Sequence, residues 1–128
     1  MSLTPSTLYY ASAIINLATI PKHFLVGQNH VSKSIAAIPP TPDLARGKSV
    51  AMTTWHHSMG MLFVIATLNY KWAKSGGPRN MEDKLVLWGI TVTGTVIGYT
   101  YYKVKLFAGL GCLWVAPWLS SIALLWSS

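Results

Sequence analysis

Acidic side chains are scarce in this sequence of 128 residues, which has three Asp and Glu residues against ten Lys and Arg residues. All three carboxylates, Asp43, Glu82 and Asp83, lie in polar segments between long apolar stretches. A carboxylate-bridged di-iron site needs several acids on facing helices, and an intramembrane proton relay needs at least one. The sequence therefore excludes both kinds of site within its apolar stretches.

Other absences narrow the function further. The single cysteine, Cys112, rules out an intramolecular disulfide. Gly76 and Gly77 lie in the turn KSGGPR, without the spacing of a phosphate-binding loop. The net charge is +7, but the basic residues occupy short gaps between apolar runs rather than one solvated face. We therefore expect no nucleotide-phosphate site and no nucleic-acid partner.

Apolar residues are abundant instead. Hydrophobic residues make up 52% of the chain and charged residues 10%, against about 25% charged in an average protein. Mean hydropathy is +0.40. A surface with so little charge would carry large exposed apolar patches in water. This composition predicts that the lipid bilayer covers much of the surface.

Four apolar segments, 3–20, 49–70, 85–102 and 106–126, contain no Asp, Glu, Lys or Arg. A helix needs about 20 residues to cross a bilayer core, and the segments lack the period-two alternation of membrane barrel strands. We predict an all-α fold: a polytopic membrane four-helix bundle that forms one domain over 1–128. The fourth helix should bend at Pro117.

The gap 21–48 has helical periodicity over 22–38, which predicts a short helix lying in the membrane interface. The sequence PPTPD that follows should end any helix, because proline lacks the amide donor. Asn80 is predicted to cap the third helix, with Asp83 favourable in its first turn.

The distribution of Lys and Arg residues gives a weak indication of the orientation of the protein in the membrane. Six Lys and Arg residues fall on the side of the first loop and four on the other. The positive-inside rule then favours a cytoplasmic first loop. We expect an endoplasmic reticulum or other endomembrane location, with the mitochondrial inner membrane as the alternative.

Small residues form two ridges on which helices can pack closely. They either face each other within one bundle or form a homodimer seam, and the first arrangement is favoured. Trp114 and Trp118 lie deep enough that each indole should need a hydrogen-bond partner. The ridges consist of Gly94 and Gly98 in the third segment and of Ala108, Cys112, Ala116 and Ser120 in the fourth.

Histidine supplies the candidate chemistry. The decapeptide TTWHHSMGML opens the second segment, and all four histidines fall on the predicted side of the first loop. On a helix, Met52, His56 and Met59 share a face, and His with Met suits copper or a haem iron. The HxxxH and HExxH spacings are absent. The candidate catalytic residues, should the protein be an enzyme, are His23, His30, His56 and His57.

Two simpler interpretations stand beside a metal site. The histidines can sit at the headgroup boundary with wet ring edges, which we favour, or transfer protons. We accordingly predict no cofactor, with copper, iron or haem only under the enzyme hypothesis. Asn16 shares a face with Ser12 and Thr19, and an interhelical hydrogen bond is favoured over ligand contact.

The layout of the chain resembles a group of small fungal membrane proteins. The first span closes with the stretch IPKHFLVGQNHV. The second span opens with GKSVAMTTWHHSMGML and ends with NYKWAKSGGP. This order resembles small four-span integral membrane proteins of filamentous fungi, such as accessory membrane proteins of polyketide clusters of the aflatoxin and anthraquinone type. The resemblance implies an endomembrane location and a supporting role in secondary metabolism or growth.

Three hypotheses follow for function. The first is a non-catalytic membrane protein that binds a membrane partner protein or a lipophilic metabolite, because the spans lack acids and carry packing ridges. The second is a small membrane oxidoreductase or oxygenase that uses the histidine cluster. The third is a supernumerary subunit of a larger membrane complex.

Overall fold

The computed structural model describes residues 3–127, and these are helical nearly throughout, which confirms the predicted all-α class. Two helical hairpins follow each other along the chain. The elements are α1 (Pro5–Val26), a π-helical turn (Gly27–Val31), α2 (Ser32–Ala36), α3 (Pro42–Ser75), α4 (Met81–Lys103), a 3-10 turn (Phe107–Gly109), a second π-helical turn (Gly111–Val115) and α5 (Ala116–Trp126).

Local sequence explains most helix ends. The Thr4 hydroxyl accepts a hydrogen bond from the Thr7 amide at 3.2 Å, and Pro5 opens α1, where its missing N–H is not needed. Asn80 Oδ1 accepts from the Asp83 amide at 2.8 Å, which confirms the predicted cap of α4. Gly76 adopts φ +79°, a left-handed conformation that glycine enters without strain, and so ends α3.

The predicted separate helix over 22–38 is wrong in one respect: this segment is helical but continues α1 without a break. Pro21 lies inside α1 and removes only the hydrogen bond to the Leu17 carbonyl, a loss that the long helix tolerates. The helix ends at Ala36, ahead of PPTPD as predicted. Similarly, α3 begins at Pro42, because proline is favoured in a first helical turn.

The helices run antiparallel, with α1 packed against α3 and α5, and with α4 packed against the second π turn and α5. The half that holds the start of α1 contains the apolar core, and we call it the closed end. The ring of Trp72 meets that of Tyr9 edge to face at 6.2 Å. The closed-end core consists of Leu8, Tyr9, Trp72, Ala73, Leu87, Ala123 and Leu124.

Pro117 reshapes the start of the fourth helix. It has no N–H to offer the Leu113 carbonyl, and the chain before it forms the π turn. A Cβ atom on Gly94 would lie 2.5 Å from that carbonyl oxygen, so the close approach of α4 requires glycine. A Cβ atom on Gly98 would likewise overlap the Trp114 indole.

The π turn also divides the predicted ridge of the fourth segment. Ala108 and Cys112, before and within the turn, line a cavity, whereas Ala116 and Ser120 are buried beyond it. The Ser120 hydroxyl donates to Asn69 Oδ1 of α3. The two deep indoles have the partners that their position requires: Trp114 donates to the Thr95 carbonyl and Trp118 to the Thr95 hydroxyl, each at 3.1 Å.

Side chains are distributed in an unusual way between the interior and the surface. Large aliphatic and aromatic residues face outward along the helices, as at Ile14, Phe63 and Val96, which are 65%, 59% and 63% exposed. The buried polar residues are Ser12, Asn16, Asn69, Thr91, Ser120 and Ser121. Within residues 3–127, one helical segment, Phe107–Trp126, is by length and composition apolar enough to cross a membrane.

Candidate functional site: a cavity between two helices

A cavity of about 690 Å³ lies between α3 and α4, in the half of the bundle opposite the closed end. We call this half the open end. Helix α3 packs against α1, and α4 packs against α5 and the second π turn, but α3 and α4 make little contact with each other, so the cavity separates them. Its walls are mainly apolar and include Met61, Leu62 and Ile65 of α3 and Ile90 and Ile97 of α4.

Trp55 of α3 lines this cavity and is held against α1. Its indole stacks on the His23 ring, with centroids 3.9 Å apart and planes 10° from parallel. One helical turn later on α1 stands Gly27, where an added Cβ atom would overlap the Trp55 indole nitrogen. The missing side chain at Gly27 therefore makes the notch that receives Trp55.

A short hydrogen-bond network fixes His23. Its Nε2 lies 2.7 Å from Ser58 Oγ and 3.2 Å from the Trp55 carbonyl oxygen, and Ser58 Oγ lies 2.6 Å from the same carbonyl. A carbonyl oxygen only accepts, so the Ser58 hydroxyl donates to it and the proton of His23 sits on Nε2. In the neutral ring, Nδ1 is then the nitrogen that carries the lone pair.

Burial is the main influence on the charge of His23. It lowers the pKa of the imidazole, the hydrogen bond to the Trp55 carbonyl acts in the opposite direction, and the neighbouring His56 lowers the pKa further. The balance favours the neutral ring. A neutral, stacked imidazole with its Nε2–H already donated serves as a structural link between α1 and α3.

Polar side chains line the cavity at several depths, but the Thr19 and Thr93 hydroxyls already donate to carbonyls of their own helices. Lys22 is the only charged residue among the described residues that line it, and no Asp or Glu lines it. The Lys22 ammonium and the Thr54 and Tyr101 hydroxyls make no hydrogen bond to any residue within 3–127. The Cys112 thiol, by contrast, donates to the Gly109 carbonyl at 3.2 Å.

The four candidate histidines do not come together. His23 lines the cavity, whereas His30, His56 and His57 are exposed. No group of three or more His, Cys, Asp and Glu residues within 3–127 could hold a metal ion. Met52 and Met59 are half-buried and lie outside the cavity lining. The helical phase explains this arrangement, because Trp55 and Ser58 face α1 and the adjacent pair His56 and His57 therefore points away.

Asn16 is 1% exposed, but its amide group bonds within its own helix, where Nδ2 donates to the Ser12 carbonyl at 2.8 Å. Its Oδ1 is buried and has no partner in the described chain. The interhelical hydrogen bond expected of Asn16 is instead made by Asn69 with Ser120.

Sequence reasoning missed Gly27, Trp55 and Ser58. Two helical spacings in the sequence could have indicated this contact. His23 and Gly27 stand four residues apart on one face of the first helix, and Trp55 and Ser58 stand three apart on one face of the next long helix. No protein-family model, curated protein or solved structure matches the chain.

Proposed function

We propose that the chain is an integral membrane protein of four spanning helices that binds a lipophilic molecule in the cavity between α3 and α4. The observation that carries the proposal is the reversed distribution of side chains. Small and polar residues fill much of the interior, and large apolar residues face outward on α1, α3, α4 and α5. In water such a surface would aggregate, whereas lipid tails solvate it.

The contacts between helices support a lipid environment. Apolar side chains gain little from burial when the surroundings are equally apolar, so membrane helices associate through close backbone approach and polar bonds. Gly94 and Gly98 provide the close approach, and the Thr91 and Ser121 hydroxyls bond across α4 and α5 at 2.9 Å.

Helix lengths are compatible with spanning. The 22 residues of α1 and the 23 of α4 rise about 33 and 35 Å, more than a bilayer core of about 30 Å, so each helix can cross the core while its polar end, with Lys22 and His23 on α1, lies among the headgroups. The 34 residues of α3 rise about 51 Å. Its first turns, with Arg46 and Lys48, would extend past the headgroups beside the first loop, which we place in the cytoplasm.

The cavity supports a binding role rather than a purely architectural one. Its volume of about 690 Å³ lies within the range of about 300–1,000 Å³ that small-molecule sites occupy. The separation of α3 from α4 gives a ligand dissolved in the membrane a lateral path into it. Following the layout resemblance, an aromatic polyketide or a related lipophilic intermediate in an endomembrane is the occupant we propose.

A pair of tryptophan substitutions on α4 tests binding. Thr93 lines the cavity and Thr100 does not, and both are exposed threonines whose hydroxyls bond to their own helix. Thr93→Trp should fill the cavity and weaken saturable binding of Nile red to the protein in nanodiscs by about tenfold, as overpacking of 1–3 kcal/mol predicts.

Thr100→Trp is the matched control, and its affinity for the dye should stay at the wild-type value. Circular dichroism must show that both variants keep the helical content of the parent. Equal saturable binding by the two variants, or the absence of any saturable binding by the parent, would rule the cavity out as a binding site.

A further inference from the structure

We infer that the ligand of the cavity is an anionic amphiphile: a single apolar body that carries one carboxylate or phenolate group, with that group held at the outer end. The inference rests on the proposed function and adds the chemical class of the ligand. It depends on which polar groups line the cavity and on which of them lack partners.

Charge gives the first argument. Lys22 lies at the outer end and makes no ion pair within residues 3–127. No carboxylate lines the cavity to neutralise the ammonium group. A cation at the edge of an apolar cavity favours a ligand with a negative group at one end, because the charge stays near water while the body is buried.

Hydrogen bonding gives the second argument. Thr54 of α3 and Tyr101 of α4 line the cavity from opposite walls, and neither hydroxyl is bonded within the described chain. Hydroxyl groups and an ammonium group together offer several donors. A carboxylate or phenolate oxygen accepts such bonds in their stronger, charge-assisted form.

The deeper lining accounts for the apolar body. From Ser58 inward, the residues that line the cavity on α3 are Met61, Leu62 and Ile65, and those on α4 include Ile90 and Ile97. The hydroxyls of Ser58, Thr19 and Thr93 also line this part, but they already donate to the backbone carbonyls of Trp55, Ile15 and Gly89 and so offer no free donor. A second carboxylate deep in the ligand would therefore find no donor, which selects against di-acids.

The experiment compares an acid with its ester. Nanodiscs of phosphatidylcholine containing the protein are titrated with dibrominated stearic acid and with its methyl ester, and quenching of tryptophan fluorescence reports occupancy. At about pH 9 the fatty acid is ionised, so the titration compares a negative head group with a neutral one. The acid should bind about tenfold more tightly than the ester, as expected for hydrogen bonds to a charged group.

Lys22→Gln should remove most of that preference and leave the affinity for the ester unchanged. Lys33→Gln is the matched control, because Lys33 is also an exposed lysine near this end but does not line the cavity. A preference that survives Lys22→Gln, or one that Lys33→Gln abolishes equally, would overturn the inference.

The outcomes separate this inference from the proposed function. Equal saturable binding of acid and ester by the parent would refute the anionic ligand and leave the lipophilic cavity intact. If the parent binds neither the acid, the ester nor Nile red in a saturable way, the proposed function itself is refuted. Displacement of the bound acid by phosphatidic acid at equal mole fraction would show a two-chain lipid as the ligand, and would refute the single apolar body.

Discussion

The closed end and the open end are built from the same four helices, yet one is filled and the other holds a cavity. At the closed end, Trp72 of α3 and Tyr9 of α1 are fully buried and pack with Leu87 of α4. At the open end, Trp55 of α3 lies on His23 and Gly27, and the cavity lies between α3 and α4.

The difference shows that the placement of one ring and three glycines decides whether this bundle closes. The notch at Gly27 draws Trp55 toward α1, while Gly94 and Gly98 let α4 approach the second π turn. The two helices that form the walls of the cavity, α3 and α4, are thus held by other parts of the bundle and not by each other. The cavity is a consequence of these separate contacts, and a single substitution can disrupt each of them.

The largest effect is expected at the closed end. Trp72→Ala removes a fully buried ring and should cost about 3–5 kcal/mol of unfolding free energy. The exposed Trp126 provides the control, and Trp126→Ala should change stability by no more than about 0.5 kcal/mol. Unfolding in mixed micelles measures both, and similar losses in the two variants would contradict the assignment of the core to this end.

A smaller effect is expected where α4 meets the second π turn. Gly98→Ala places a Cβ atom into the Trp114 indole and should cost about 1–3 kcal/mol. Gly89 is on the same helix with no atom within 4 Å of an added Cβ, so Gly89→Ala should stabilise by about 0.5–1 kcal/mol. We expect the two substitutions to change the free energy of unfolding in opposite directions. A change in the same direction would argue against the close approach of α4.

Gly27→Ala should cost less, about 1 kcal/mol, because Trp55 can swing into the neighbouring cavity. For the same reason the variant should bind less Nile red. Gly47, also within a helix, has open space around it and serves as the control. Full dye binding by Gly27→Ala would show that the notch does not position Trp55.

The smallest effect concerns pH. His23 lies outside the four predicted spans, and burial lowers its pKa from the ordinary value of 6.5. The unfolded chain then binds more protons below that value, so the contribution of His23 to stability is present above about pH 6.5 and falls as the pH drops through the folded-state pKa. Melting temperatures between about pH 7.5 and 5 should decline less steeply in His23→Gln than in the parent. If melting temperature falls with pH equally steeply in His23→Gln and in the parent, the pH dependence of stability comes from other groups.

Patterns within a single segment were sufficient to predict several features of the structure. The all-α class, the cap at Asn80 and the need for partners at Trp114 and Trp118 follow from residue type, spacing and depth, and the structure confirms them. The end of the helix before PPTPD belongs to the same group.

Features that depend on two segments were not predictable in this way. Helix α1 continues through Pro21 and packs along α3, and this packing is not encoded by any local rule. The cavity depends on the gap between α3 and α4, and the role of Trp55 depends on a glycine at position 27. In the same turn of α3, the conspicuous pair His56 and His57 is exposed, whereas Trp55 and Ser58 contact His23 of α1.

Accessibility of outward-facing residues of α4 tests the membrane-spanning bundle most directly. In a Cys112→Ser background, Val92→Cys and Val96→Cys replace side chains that are 59% and 63% exposed, and Gln28→Cys replaces an exposed residue outside the predicted spans. In intact membranes a water-soluble maleimide should modify the cysteine at 28 and spare those at 92 and 96 until detergent is added. Equal modification at all three positions would contradict the account, because it would place the apolar face of α4 in water.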